Sequence, residues 1–140
     1  MRSPRCVIDT NVVISAVLKP ESLPARVVAY AFGEGALLVS DALLGELRTR
    51  LARPKFDRYV SAADREQLVA LLARRGTRTA VTTVVTDSPD PDDNAVLALA
   101  LDGRADVIVT GDRKHLLPLH PYRGIPVLSP RDFAERVGVA

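Results

Sequence analysis

Cys6, Val7 and Ile8 form a short apolar run that passes through Asp9 into a second pattern. There Val12, Val13, Ile14, Ala16, Val17 and Leu18 recur until Lys19-Pro20 stops them. A buried strand feeding straight into a helix has this pattern. Asp9 then stands where the strand ends, and in open α/β sheets that edge is where ligands bind. Alone, an acid at this place is an ordinary helix N-cap, its oxygen accepting backbone N–H groups orphaned by the first turn. Capping is therefore the simpler reading of Asp9, unless other acids arrive at the same edge.

The remaining chain repeats the alternation. Ser22-Leu23-Pro24 looks like a helix start and Gly33 its stop, with Val27, Val28, Ala31 and Phe32 on the apolar side between them. Ala36 to Val39 is a continuous apolar run, as a strand buried on both faces requires. Ser40-Asp41 is placed to cap a helix over 42–52, whose stripe is Leu43, Leu44, Leu47 and Leu51, with Glu46 at its margin. Arg53 to Tyr59 is a loop mixing three basic residues with two aromatics. Ser61 with Asp64 resembles a capping box opening a helix to Arg75, and Gly76 ends it. Thr79 to Thr86, rich in Val and Thr, predicts a third strand.

An acidic turn, Asp87 to Asn94, leads into Ala95–Leu101; Asp90 is its expected N-cap and Pro91 the first helical residue. That helix is apolar nearly all round, so it should lie centrally buried. Asp106 to Thr110 predicts a fourth strand, followed by Gly111-Asp112, a short helix around Lys114 to Leu117, a last strand at Ile125–Leu128, and a closing helix from Arg131 to Val137. This order points to a single α/β domain spanning 1–140, a three-layer α/β/α sandwich with a mostly parallel central sheet.

Composition narrows the classes. Cys6 is the sole cysteine among 140 residues, which excludes an internal disulfide and points to a reducing compartment. Arg2 and Arg5 ahead of the apolar stretch mimic a signal peptide, but Asp9 and Asn11 interrupt it. The longest unbroken apolar run, Ala95 to Leu101, is too short to span a bilayer, so a cytoplasmic protein is expected. The formal net charge is +2, and 16 of the 19 basic residues are Arg, whose fork matches phosphate geometry.

Four acids fall at or near strand ends and helix starts: Asp9, Glu46, Asp93 and Asp112. Singly, each has a plain explanation. Asp9 and Asp112 cap helices, Glu46 pairs with Arg50 one turn on, and Asp93 favours the positive end of a helix dipole. Jointly those explanations weaken, because right-handed crossovers in a parallel sheet bring the strand carboxyl ends to one edge. Carboxylates gathered there raise one another's pKa unless a cation compensates, and a hard divalent ion takes oxygen ligands.

Val7-Ile8-Asp9-Thr10-Asn11, Glu46-Leu47-Arg48, Asp90-Pro91-Asp92-Asp93-Asn94 and Val109-Thr110-Gly111-Asp112, in that order, resemble the PIN-domain family over 6–133. The nearest group is the VapC-like toxins of prokaryotic toxin–antitoxin pairs. The resemblance implies a metal-dependent endoribonuclease with Asp9, Glu46, Asp93 and Asp112 as catalytic acids and ligands of Mg²⁺ or Mn²⁺. The family spacing to Val109–Asp112 is what selects Asp93 over Asp92. Asn11 matches the polar residue beside the first acid, orienting it or a bound water. The resemblance further implies a small antitoxin partner, a homodimer, and RNA products with 5′-phosphate and 3′-hydroxyl ends.

With the four acids set aside, 19 basic residues face 13 acidic ones, a surface of +6 suited to a polyanion. Arg53, Lys55, Arg58, Arg113 and Lys114 are candidates for backbone contacts, and Phe56 or Tyr59 for stacking on an unpaired base. Ordinary packing and solvated charge explain that loop equally well. His115 and His120 are expected to be surface or turn residues. A phosphatase of the haloacid-dehalogenase type needs a second Asp where this chain has Asn11. A PIN scaffold serving only to bind a partner is the remaining alternative, and retention of all four acids speaks against it.

Overall fold

A computed structural model describes residues 3–140; Arg2, part of the basic start, lies outside the described residues. The elements in chain order are β1 (Arg5–Ile8), α1 (Thr10–Leu18), α2 (Leu23–Glu34), β2 (Ala36–Val39), α3 (Asp41–Leu51), α4 (Ala62–Arg75), β3 (Thr77–Arg78), α5 (Pro91–Asp102), β4 (Val107–Val109), β5 (Val127–Leu128) and α6 (Pro130–Val137). Single 3₁₀ turns occur at Pro54–Phe56 and Leu117–Leu119.

All five strands run parallel in the order β3-β2-β1-β4-β5. Cys6 pairs with Leu37 on one side and Val107 on the other. The chain builds outward from β1 to β3, then returns to the opposite side of β1. That reversal opens a crevice at the carboxyl ends of β1 and β4, the place where such sheets bind ligands. α1 and α2 join β1 to β2, α3 and α4 join β2 to β3, and α5 joins β3 to β4; both α2 and α5 pack on β1 and β2. Cys6, Val7, Ile8, Leu38, Ile108 and Val109 are accordingly buried on both faces, giving a three-layer α/β/α sandwich.

Side-chain caps begin most helices. Ser22, Ser40, Ser61 and Ser129 accept from the N–H groups of Ala25, Leu43, Asp64 and Asp132, and Asp90 accepts from Asp92. Each such cap is worth about 1 kcal/mol. In α5 the run Val96–Ala100 is buried, as its all-round apolar pattern predicts, and packs on β1, β2 and α3. The end of α5 needs Gly103: a Cβ there would lie 2.7 Å from Leu38 Cδ1 and 2.9 Å from the Leu99 carbonyl oxygen.

The expected third strand over Thr79–Thr86 is not a strand. Only Thr77 and Arg78 pair with β2, and the Thr79 N–H adds one bond to the Val39 carbonyl. The chain then leaves the ladder because the Asp102 carboxylate takes the N–H groups of Thr82 and Thr83 at 2.7 and 2.9 Å. Val84 is left 86% exposed. High β-propensity describes a segment that fits a pleated surface, and here no partner strand supplies one.

Smaller differences follow from local bonding. α1 starts at Thr10, directly after Asp9 as expected, whereas α2 continues through Gly33 to Glu34. The helix expected at Lys114–Leu117 is a turn over 113–116 followed by the second 3₁₀ turn, held by Asp112 Oδ1 on the N–H groups of Lys114 and His115. Among the described residues, no helix is long and apolar enough to cross a membrane.

Candidate active site

Asp9 continues the β1 ladder through its N–H, which reaches the Val109 carbonyl at 2.9 Å, and its own carbonyl starts α1. Its carboxylate does not cap that helix. Thr110, the residue after β4, donates its hydroxyl to Asp9 Oδ2 at 2.8 Å. Thr10 donates to Glu46 Oε1 at 2.7 Å, and the same hydroxyl oxygen lies 3.4 Å from Asp9 Oδ1. The capping reading of Asp9 therefore fails, because neighbouring hydroxyls claim the carboxylate. Thr10 and Thr110 are themselves wholly buried, so both serve the acids rather than solvent.

Asp93 lies in the first turn of α5 and is 7% exposed. Its Oδ2 accepts from Ser88 Oγ at 3.1 Å. Asn94 holds Ser88 in place by a two-way bond, accepting from its N–H at 2.9 Å and donating to its carbonyl at 2.8 Å. The adjacent Asp92 faces elsewhere: its side chain is half exposed and meets Arg50 Nη2 at 3.4 Å. Of the two neighbours, Asp93 is the inward-facing acid. Asp112 donates its N–H to Thr110 Oγ1 at 3.0 Å, so one threonine ties Asp112 to Asp9.

Glu46 pairs with Arg50 one turn on, at 3.1 Å. The pair is larger than an i, i+4 contact, because Arg50 Nη1 also donates to Asn11 Oδ1 at 2.6 Å. Asn11 thus meets Arg50 and not Asp9. Arg53, Lys55 and Arg58 follow on the loop after α3, with Lys55 over the Phe56 ring and Arg58 over the Tyr59 ring at 5.1 and 5.2 Å. Arg113 and Lys114 are exposed directly after Asp112. His120 Nδ1 accepts from the Val127 N–H, a turn role.

Electrostatics tie the acids together. Burial is the largest cause in each case and pushes Asp9 and Glu46 above the usual carboxylate range, and Asp93 up to about 6. The charge of Asp112 raises both Asp9 and Asp93, Asp9 raises Asp93 and Glu46, and Arg50 pulls Asp9 and Glu46 back down. The donor set is all oxygen, which fits a hard divalent cation in kind. In this conformation, among the described residues, no three acidic, His or Cys side chains converge closely enough to hold one.

The hydroxyl of Thr110 is a direct lever on this field. Thr110→Val keeps the shape but strips Asp9 of its 2.8 Å donor and leaves the Asp112 N–H unpaired. Asp9 should then titrate higher by carboxyl NMR, and urea unfolding should show a loss of about 1–2 kcal/mol. An Asp9 titration unchanged from the parent would remove Thr110 from its place beside the acid.

The PIN-domain family model matches residues 5–114, which contain Asp9, Glu46, Asp93 and Asp112 in order. The chain belongs to the PIN-domain family. An uncharacterised protein of Methanocaldococcus jannaschii, MJ1680, is 28% identical, the match covering 94% of this chain and 90% of that protein. Among solved structures, VapBC2 from Rickettsia felis, bound to a DNA fragment from its promoter, superposes with a TM-score of 0.61 at 12% identity, covering 89% of this chain and 98% of that one. The PIN-domain endonuclease Utp24 gives 0.55 at 18% identity, covering 89% and 84%. At these identities the likeness concerns the fold alone. PIN membership supports a nuclease, and PIN-domain nucleases generally use divalent metal ions.

Sequence reading missed part of this site. Arg50 was visible only as a partner for Glu46, and Ser88 carries nothing that separates it from any turn serine. Thr10 had a usable signal: a hydroxyl in an otherwise apolar helix start, directly after the first acid.

Proposed function

We propose that this PIN domain is a Mg²⁺- or Mn²⁺-dependent endoribonuclease whose catalytic acids are Asp9, Glu46, Asp93 and Asp112. The observation that carries the reading is that two nearly buried carboxylates, Asp9 and Asp93, stand at the crevice where the strand order reverses, with Asp9 tied to Asp112 through Thr110. Buried acids held near each other have little structural use unless a cation compensates them. When bound, a divalent ion supplies Lewis acidity that lowers the pKa of a water and neutralises charge on an attacked phosphodiester. The chain's own residues do the rest. Thr110 and Thr10 orient Asp9 and Glu46, and Ser88 orients Asp93. Asn11, exposed and held by Arg50, would contact the substrate. Arg113 and Lys114, beside Asp112, would hold the RNA backbone.

The likeness to VapBC2 supports a small antitoxin partner; the toxin role, the homodimer and the cytoplasmic location are part of the same proposal and rest on the family resemblance. Purified protein incubated with RNA should cleave only with Mg²⁺ or Mn²⁺, leave 5′-phosphate and 3′-hydroxyl ends, and stop when EDTA is added. Cleavage that survives EDTA, or is equal in Asp9→Asn and parent, would end the assignment. A neighbouring reading frame encoding a short DNA-binding protein is expected; without one, the toxin role loses its main support.

A further inference from the structure

Arg50 is the one cation that reaches into the acid crevice from within the described chain. Its guanidinium joins three elements: Nη2 meets Glu46 Oε1 of α3 at 3.1 Å and Asp92 Oδ2 of α5 at 3.4 Å, while Nη1 donates to Asn11 Oδ1 of α1 at 2.6 Å. The side chain is three-quarters covered. Arg48, two residues earlier on the same helix, shows what an ordinary surface pair looks like here. It is 53% exposed and meets the equally open Glu66 at 3.5 Å.

Building on the nuclease reading above, we propose that Arg50 is a resident counter-ion of the crevice, holding Glu46 and Asn11 until a divalent ion displaces it, and thereby setting the affinity for that ion. Glu46 is turned toward Arg50 and Thr10, and no three acids converge while it is so held. A guanidinium and a divalent cation repel, so the two cannot share Glu46 without a cost that weakens metal binding. Arg50 is thus a positioning residue. It holds Glu46 in the metal-free protein, and it restrains loading when divalent ions are scarce.

The test is a Mn²⁺ titration of the full chain, read by the EPR signal of free Mn²⁺, on the parent, Arg50→Gln, Arg50→Lys and Arg48→Gln. Removing one positive charge this close to the site should tighten Mn²⁺ binding about tenfold in Arg50→Gln. Arg50→Lys keeps the charge and should stay near the parent, and Arg48→Gln should match it. A second reading needs no variant: adding Mg²⁺ to the parent should speed hydrogen exchange at the Arg50 Nη groups as their bonds to Glu46, Asp92 and Asn11 are released. Arg50→Gln binding no more tightly than the parent, or an Arg50 Nη exchange rate unmoved by Mg²⁺, overturns the counter-ion role while leaving the metal reading intact. A parent that binds no Mn²⁺ at all overturns the metal reading, and this inference with it.

Discussion

Asp93→Asn should abolish RNA cleavage, by roughly a hundredfold or more, and at the same time make the metal-free protein more stable near neutral pH. Burial, then the charges of Asp112, Asp90 and Asp9, lift the Asp93 carboxyl from 3.8 to about 6. The folded state therefore holds this proton more tightly than the unfolded chain does. Stability contributed by the protonated acid is complete below about 4, falls as pH rises through the window from 3.8 to about 6, and is gone by neutral pH. The ionised form costs the fold on the order of 3 kcal/mol at most, and asparagine escapes that cost. Ser88 Oγ can still donate to the amide oxygen, so the local bond survives. Urea unfolding of both proteins across this window should show the parent losing more stability than the variant, in which only Asp9 and Glu46 keep raised carboxyls. A variant less stable than the parent near neutral pH would mean that Asp93 is a structural acid.

Arg65→Met should lower stability by about 2–4 kcal/mol, a large share of what a domain of this size has. Arg65 is 3% exposed and is spent entirely on the chain between α3 and α4. Nη1 donates to the Leu51 carbonyl at 2.6 Å and the Arg53 carbonyl at 3.1 Å, Nε reaches the Ser61 carbonyl, and Nη2 meets the Asp57 carboxylate. Methionine fills the space but leaves those carbonyls unpaired, and an unpaired buried acceptor costs its full desolvation. Asp57→Asn should do far less, because that carboxylate is mostly in water. The loop so tied carries Lys55, Phe56, Arg58 and Tyr59, so Arg65→Met should also open it to proteolysis and weaken retention of single-stranded RNA. A change in urea midpoint too small to distinguish from Asp57→Asn would contradict this account.

Where the sequence carried a period or a cap, it could be read. The strands at Cys6–Ile8 and Ala36–Val39, the start of α5 at Asp90-Pro91, and the ends of α4 all follow from apolar runs and capping residues that act locally. Thr79–Thr86 could not be read, because whether a Val- and Thr-rich segment pairs depends on Asp102, twenty residues on, which captures its N–H groups. The acids were legible only together: parallel topology brings Asp9 and Asp112 to one edge, and burial separates Asp93 from Asp92. Thr110 reads from the sequence as the end of a strand, and its hydroxyl links Asp9 and Asp112. Arg50 looked like half of a helix-surface pair because its other partners, Asn11 and Asp92, lie about forty residues away in each direction.

Crystals grown with manganese and measured at a wavelength where that metal scatters anomalously address the central claim. The account predicts a strong anomalous peak at the carboxyl ends of β1 and β4, with oxygens of Asp9 and Asp93 against it and Glu46 or Asp112 completing the set. A manganese-saturated crystal in which those carboxylates point apart, with no peak among them, would contradict it.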